Sequence, residues 1–255
     1  VSIVVPAFRE GPNIRPLTQR VFAALAAEGI EGELIIVDDD SRDGTEEAVA
    51  ELAGAYPVRL IVRREERGLS GAVLRGFEEA GHEVLVVLDG DLQHPPEAIP
   101  AVVAKMDSGC DFVIATRYAE GGSLAENWPW HRRMMSRIAG LLARPLTPLS
   151  DPMSGFFAVR RDAVRAATGL SPLGFKIALE VYVKAGCRRP GEVPIAFGTR
   201  AAGESKLGAG EVGRYLKHLH RLYRHRWPVV WWMVPTATLL VLIVGVFAVA
   251  RQIIR

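Results

Sequence analysis

The chain has 255 residues, 49% of them apolar and 24% charged, which excludes global disorder and suits one large α/β domain, alone or with an appendage. Its net charge of +2 is unevenly divided: seven basic residues and no acidic one lie from Arg214 onward, leaving 24 basic against 29 acidic groups, a net of −5, in the first 213. An acidic body excludes a nucleic-acid binder built on a basic surface, and the basic tail points at something anionic.

In chain order, short apolar runs alternate with amphipathic stretches. Strands are predicted at about Val1–Pro6, Glu33–Val37, Val58–Val62, Glu83–Leu88 and Asp111–Ala115. Helices are predicted between them at about Asn13–Glu28, Thr45–Ala55, Ser70–Ala80 and Pro96–Ser108. That alternation makes βαβ units and a mostly parallel sheet with helices on both faces. Glu120–Leu149, rich in Arg, Trp and Pro, is expected to be less regular. Asp151–Ala158 reads as a turn into a strand, and Thr199–Gly213, with four glycines, as a loop. Cys110 and Cys187 are far apart and lack metal-type spacing, so both are expected to fill the core.

The last segment is different. Trp227–Ala250 is 24 residues without a charge; as a helix it would extend roughly 36 Å, enough for a ~30 Å hydrocarbon core. Trp227, Trp231 and Trp232 gather at one end, where indole rings favour the interface, and Gly245 would allow close contact with a second helix, a route to oligomers. Just before it, Leu216, Leu219, Leu222 and Tyr223 recur at helical spacing among Arg and Lys. The expectation is a basic amphipathic interfacial helix over 208–226 and a transmembrane helix over 227–250, with the basic side, and so the catalytic domain, on the cytoplasmic face of the membrane.

Polar clusters follow the strands: Pro6-Ala-Phe-Arg-Glu10 the first, Asp38-Asp-Asp-Ser41 the second, Arg63 and Arg64 the third, Asp89-Gly-Asp91 the fourth and Arg117 the fifth. In open α/β sheets the ligand crevice lies beyond these carboxyl ends. Asp89 and Asp91, two apart, are expected to point the same way and to hold a divalent ion completed by phosphate oxygens and water, with Gln93 offering a neutral oxygen. His94 reads as a hydrogen-bonded loop residue more than as a ligand. Asp43-Gly44 is a local turn whose Asp43 or Thr45 caps the next helix, while Asp38 and Asp39 can accept base or ribose hydrogen bonds. There is no GxxxxGK[ST] and no GxGxxG after the first strand, which argues against a P-loop ATPase and a dinucleotide dehydrogenase.

Together these motifs resemble family 2 glycosyltransferases of the GT-A fold, a Rossmann-like α/β architecture; Arg9 stands where the family usually has Asn. Asp151-Pro-Met-Ser-Gly-Phe-Phe-Ala-Val-Arg-Arg161, Gly174-Phe-Lys-Ile-Ala-Leu-Glu180 and Arg200-Ala-Ala-Gly-Glu-Ser-Lys-Leu207 resemble the dolichol-phosphate mannose synthase branch. The resemblance covers 1–207, taken as the catalytic domain. It implies a GDP-mannose donor, a polyprenyl or dolichyl phosphate acceptor, a bilayer beside the site, and inverting transfer. Pro6, Phe8, Glu10, Asp38 and Asp39 then fall at nucleoside-binding positions, and Asp89, Asp91 and Gln93 at a Mg²⁺ or Mn²⁺ site. Arg117, Arg132 and Ser136 fall at acceptor-phosphate positions. Arg200 and Lys206 fall on a loop closing over phosphates and join Asp89 and Asp91 as catalytic candidates. The acceptor is already anionic, so no dedicated general base is expected; Asp89 is the candidate if there is one. A UDP-glucose:polyprenyl-phosphate glucosyltransferase is the near alternative. A processive polysaccharide synthase is disfavoured because Tyr223-Arg-His-Arg-Trp227 lacks the Gln of its Gln-x-x-Arg-Trp motif. A non-catalytic, membrane-tethered nucleotide-sugar-binding module is disfavoured by the intact Asp89, Asp91, Arg200 and Lys206.

Overall fold

A computed structural model describes residues 1–65, 67–124, 130–171, 176–199 and 210–228. Strands β1 (Ser2–Ala7), β2 (Glu33–Asp38), β3 (Val58–Val62), β4 (Val84–Val87) and β5 (Phe112–Thr116) alternate with helices α1 (Gly11–Ala27), α2 (Thr45–Leu52), α3 (Leu69–Glu79) and α4 (Ile99–Asp107), as the periodicity predicts. The stretch expected to be irregular contains a short strand β6 (Ser123–Leu124) and a fourteen-residue helix α5 (Trp130–Ala143). Its basic residues lie on an amphipathic helix, and their density hid the apolar period. Then follow β7 (Phe157–Arg160), α6 (Arg161–Ala166), α7 (Ile177–Lys184), β8 (Pro190–Pro194), β9 (Ala196–Phe197) and α8 (Gly210–Arg226).

The main sheet has seven strands in the order β3-β2-β1-β4-β7-β5-β8. All neighbours are parallel except β7, which runs antiparallel to both β4 and β5. Its register sets Val87 opposite Phe157, so the turn before β7 meets the segment after β4 at one edge of the sheet.

Strand alternation feeds two cores. Ile3 and Val5 of β1 and Ile36 of β2 face α1, α2 and α4 through Ile14, Leu17, Val49, Val102 and Met106. Val4, Val37 and Leu85 face the other layer with Phe77, Phe112, Phe157, Ile177 and Val181. Phe112 stacks on Phe157 at 5.5 Å, and Phe77 meets Phe157 edge-on at 6.4 Å. Cys110 and Cys187 are half-buried beside these cores.

Helix α8 begins at Gly210, inside the stretch expected to be a loop. Part of its apolar stripe packs on protein: Leu219 is 4% and Leu222 1% exposed, in the second core, whereas Leu216 is 51% exposed. Tyr215 and Tyr223 donate from their hydroxyls to the carbonyls of Ala139 and Leu142 on α5. A helical apolar period shows that one face is covered but not what covers it. The transmembrane segment expected over 227–250 lies, beyond Pro228, outside the described residues. Among the described residues no helix is long and apolar enough to cross a membrane.

Gly76 lets α3 lie directly on β1, since a Cβ there would fall 2.3 Å from Val4 Cγ1. Gly76→Ala should therefore destabilise the fold by roughly 1–3 kcal/mol through overpacking. Gly54→Ala, with open space around its position, should change stability by less than about 0.5 kcal/mol. Urea unfolding midpoints compare the two.

Candidate active site

The carboxyl ends of β1, β2 and β4 carry strained loops. Arg9 (φ 61°), Asp40 (φ 56°), Arg42 (φ 53°) and Leu92 (φ 61°) all take up left-handed backbone, and among the described residues no other non-glycine position does. Backbone held in this region costs free energy and concentrates at functional sites. The positive φ at Arg9 also explains why Asn, which tolerates that conformation, suits this position.

At the β1–β2 side, the Asp38 carboxylate accepts from the backbone N–H (2.8 Å) and hydroxyl of Ser41, and Ser41 Oγ in turn accepts from Arg9 N–H at 2.7 Å. Asp39 accepts from Arg63 Nη1 at 3.0 Å and from Gly68 N–H at 2.6 Å. Burial pushes its carboxyl up from the usual range, against the opposing pull of those donors. Asp43 ties two helix starts together, accepting from Gly11 N–H at 2.8 Å and from the Thr45 hydroxyl at 2.6 Å. Glu10 is buried and accepts from Asn13 at 2.7 Å. The ring of Phe8 lies under the guanidinium groups of Arg9 (5.2 Å) and Arg67 (5.6 Å). Pro6, half-buried, sits in β1 opposite Val37. The five candidate nucleoside residues thus lie along one edge, with Asp38 and Asp39 also organising the loops they stand on.

After β4, Gly90 packs against Val5 and Glu10, which brings the second cluster against the first. β4 ends at Val87, so Asp89 and Asp91 lie beyond the pleat and are oriented by contacts instead of alternation. Asp89, its side chain 33% exposed, lies against Gly155, where a Cβ would fall 2.7 Å from Oδ2. Asp91 is 5% exposed and accepts from Gln93 N–H at 3.1 Å. Gln93 donates from Nε2 to Gly198 O at 3.2 Å, and Gly198 N–H returns a bond to Gln93 O at 2.8 Å. These bonds join the loop to β9 and to the segment that leads toward Arg200. The donor set fits a hard divalent cation: two carboxylates, one reachable from solvent, beside an amide whose oxygen can ligate. Among the described residues no three His, Cys, Asp or Glu form an all-protein metal cage, so substrate oxygens and water would have to complete the coordination.

His94 is 2% exposed and lies edge-on to Phe156 (5.8 Å) and Phe197 (5.1 Å). Its Nδ1 is 3.4 Å from Asp89 Oδ2 without forming a hydrogen bond, and the aromatic walls flank the ring. Burial pushes its pKa down to about 4, against the opposing pull of Asp91.

The fifth-strand cation, Arg117, is 8% exposed and pairs bidentately with Asp151, Nε to Oδ2 at 2.6 Å and Nη2 to Oδ1 at 2.8 Å. Its guanidinium also lies 5.0 Å from the Phe197 ring centre. Ser136, on α5, accepts from the Tyr118 hydroxyl at 3.2 Å. It lines a cavity of about 360 Å³ with Arg137, Leu141, Arg144, Asp151 and Pro152. The backbone of Arg132 belongs to α5, but its side chain, like all of Arg200 and Lys206, lies outside the described residues.

Two charged residues of this cleft are missing from the sequence-derived site set. Asp151 stands before β7, and a rule that looks after strands passes over it; only the reversal of β7 turns its leading turn toward the crevice. Lys176, just before α7, donates from Nζ to Met153 O at 3.0 Å. Both stand inside motifs that carry the family resemblance, and that was the available signal.

A cleft at the carboxyl edge of such a sheet, with a carboxylate pair at its centre and cations beside it, defines a GT-A-like transferase fold. Mycobacterium tuberculosis glucosyl-3-phosphoglycerate synthase shares it. A structure of that enzyme with Mn²⁺, uridine diphosphate and glucosyl-3-phosphoglycerate matches with a TM-score of 0.61 at 20% identity over 88% of this chain and 78% of that one. Its complex with Mg²⁺ and uridine diphosphate matches with a TM-score of 0.63 at 20% identity over 88% and 78%. The sequence is more specific. The model for glycosyl transferase family 2 matches residues 2–167. A dolichol-phosphate mannosyltransferase of Mycosarcoma maydis is 47% identical over 237 residues, covering 90% of this chain and 81% of the relative. Its counterpart from Saccharomyces cerevisiae is 46% identical over 231 residues, covering 87% and 86%. The chain belongs to glycosyl transferase family 2.

The His94 environment gives a pH dependence with a definite sign. In the metal-free protein the folded state resists a proton that the unfolded chain accepts near 6.5. The contribution of neutral His94 to stability is therefore fully present above pH 6.5 and is lost as pH falls toward about 4. Imidazole NMR shifts should show His94 still neutral at pH values where exposed histidines are protonated. Titration of His94 near 6.5 would contradict this.

Proposed function

We propose that the protein transfers mannose from GDP-mannose to a polyprenyl or dolichyl monophosphate with inversion, releasing GDP and polyprenyl β-mannosyl phosphate. The observation that carries this reading is the identity of 46–47% across about nine-tenths of the chain to proteins named dolichol-phosphate mannosyltransferase. The cleft suits the chemistry. Nucleotide contacts would come from Phe8, Glu10, Asp38 and Asp39, with Pro6 setting the strand edge. A Mg²⁺ or Mn²⁺ ion held by Asp89, Asp91 and Gln93 would supply Lewis-acid stabilisation of the diphosphate leaving group.

The chain's own residues do the rest. A phosphate monoester is already ionised, so it needs positioning more than deprotonation. Arg117, held rigid by Asp151, together with Ser136 and Arg132, would orient the acceptor oxygen toward the sugar. Arg200 and Lys206 would add positive charge over the departing phosphates. Radiolabelled GDP-mannose and UDP-glucose, each supplied with polyprenyl phosphate and Mg²⁺, test the donor: mannosyl lipid should form and glucosyl lipid should not. Asp91→Ala should reduce turnover by at least about 100-fold, the scale on which a principal electrostatic group acts. Near-normal turnover would remove the metal assignment.

We also place the site at a cytoplasmic lipid surface. Helix α5 exposes Met134, Met135, Ile138, Leu141 (71% exposed) and Leu142, and the neighbouring α8 exposes Val212 and Leu216. An apolar surface of this kind on a polar body marks a docking face. Its occupant is taken to be an anionic bilayer, because α8 adds Arg214, Lys217, Arg221, Arg224 and Arg226 and runs into the uncharged segment from Trp227. Truncation after Gly213 would uncover the core packed by Leu219 and Leu222, so point substitutions are the cleaner test. Met135→Ser, Ile138→Ser and Leu141→Ser combined should reduce turnover of bilayer-embedded acceptor while leaving GDP binding intact. Unchanged use of the embedded lipid would count against α5 as the docking face.

A further inference from the structure

An anionic acceptor must enter a cleft that already holds Asp89, Asp91 and Asp151. Two cations there are committed to carboxylates: Arg63 to Asp39 at 3.0 Å, and Arg117 to both oxygens of Asp151. Lys176 is in a different position. Among the described residues its Nζ has one hydrogen-bond partner, the Met153 carbonyl at 3.0 Å, and no carboxylate within 4.0 Å. An ammonium has three N–H donors, so two remain for a ligand.

The turn from Asp151 to Gly155 fixes where this ammonium sits. One end of the turn holds Arg117 through Asp151, the other packs Gly155 against Asp89, and its middle residue, Met153, takes the Lys176 bond. Lys176 therefore stands on the span between the Arg117 guanidinium and the Asp89 carboxylate. We propose that Lys176 binds the phosphate of the acceptor monoester, and with Arg117 holds that anion beside Asp89. This rests on the acceptor assignment made above and adds to it a residue that reaches the reacting phosphate.

Charge arithmetic supports the assignment. Arg117 and Asp151 cancel, leaving Asp89 and Asp91 to repel an incoming phosphate unless further positive charge is present. Burial, reinforced by the charge of Arg117, lowers the Lys176 pKa, and Asp89 and Asp151 oppose that shift. A phosphate between the two cations would relieve their repulsion. The donor diphosphate is the other phosphate in the reaction, but the nucleoside groups stand after β1 and β2 and the candidate metal ligands after β4, whereas Lys176 bonds to the turn whose Asp151 holds Arg117, the acceptor-side cation after β5.

Calorimetric titration of the full chain in detergent separates the sources. Farnesyl phosphate and farnesol serve as acceptor probes, and GDP with Mg²⁺ as the donor probe. Lys176→Met should weaken farnesyl phosphate binding roughly 10–100-fold, as expected for loss of a charge-assisted contact, with farnesol and GDP binding unchanged. Lys176→Arg should recover part of the loss, and in turnover the KM for polyprenyl phosphate should rise while that for GDP-mannose holds. Unchanged farnesyl phosphate affinity in Lys176→Met would overturn the inference alone. Loss of GDP affinity in place of farnesyl phosphate affinity would overturn it in favour of the donor diphosphate. Failure of the wild-type chain to bind farnesyl phosphate would overturn the acceptor assignment and the inference together.

Discussion

Strand β7 enters the sheet against the direction of its neighbours, and the candidate site depends on that reversal. Parallel strands deliver their following loops to one edge. An antiparallel strand delivers the turn before it to the same edge. Pairing Val87 with Phe157 therefore sets Asp151–Gly155 against Asp89. Through this turn Arg117 finds its carboxylate, Lys176 finds its carbonyl, and Asp89 finds a neighbour small enough to lie beside. Any side chain at Gly155 would compete with Asp89 for space.

The second constraint is electrostatic. The cleft brings several carboxylates and cations together under partial burial, where an unmatched charge is costly. The structure meets this by spending charges locally: Arg117 on Asp151, Arg63 on Asp39, and neutral His94 held between aromatic rings next to Asp89. Asp89 keeps solvent access, its side chain 33% exposed. Left-handed backbone at Arg9, Asp40, Arg42 and Leu92 shows that the loops bearing these groups are held in place by their neighbours and not by local preference.

Helices α5 and α8 form a unit of their own. The tyrosine hydroxyls of α8 bond to carbonyls of α5, and Leu219 and Leu222 anchor α8 to the core. The outer apolar side chains then belong mostly to α5, which also contributes Ser136 to the cavity beside Arg117. In the proposed function the same helix faces the bilayer on one side and the acceptor phosphate on the other, so a lipid headgroup has a short path into the cleft.

The five parallel strands and their helices were legible from the sequence because burial on both faces imposes apolar runs for strands and a 3.6-residue period for helices, whatever lies around them. The acidic clusters after β2 and β4 were legible for a related reason: a ligand crevice at strand ends concentrates charges that a core cannot hold. The reversal of β7 was not legible, since strand direction leaves no mark on the pattern of side chains. Asp151 and Lys176 consequently went unassigned. The apolar stripe of α8 had the right period, but that Leu219 and Leu222 pack on protein while Leu216 stays exposed was not legible, because period reports a covered face and only tertiary packing decides what covers it. Sequence alone determined the family and the acidic clusters that follow β2 and β4. The tertiary structure decided which charges cancel and which are left to meet a phosphate, because that depends on distances between residues that are remote along the chain.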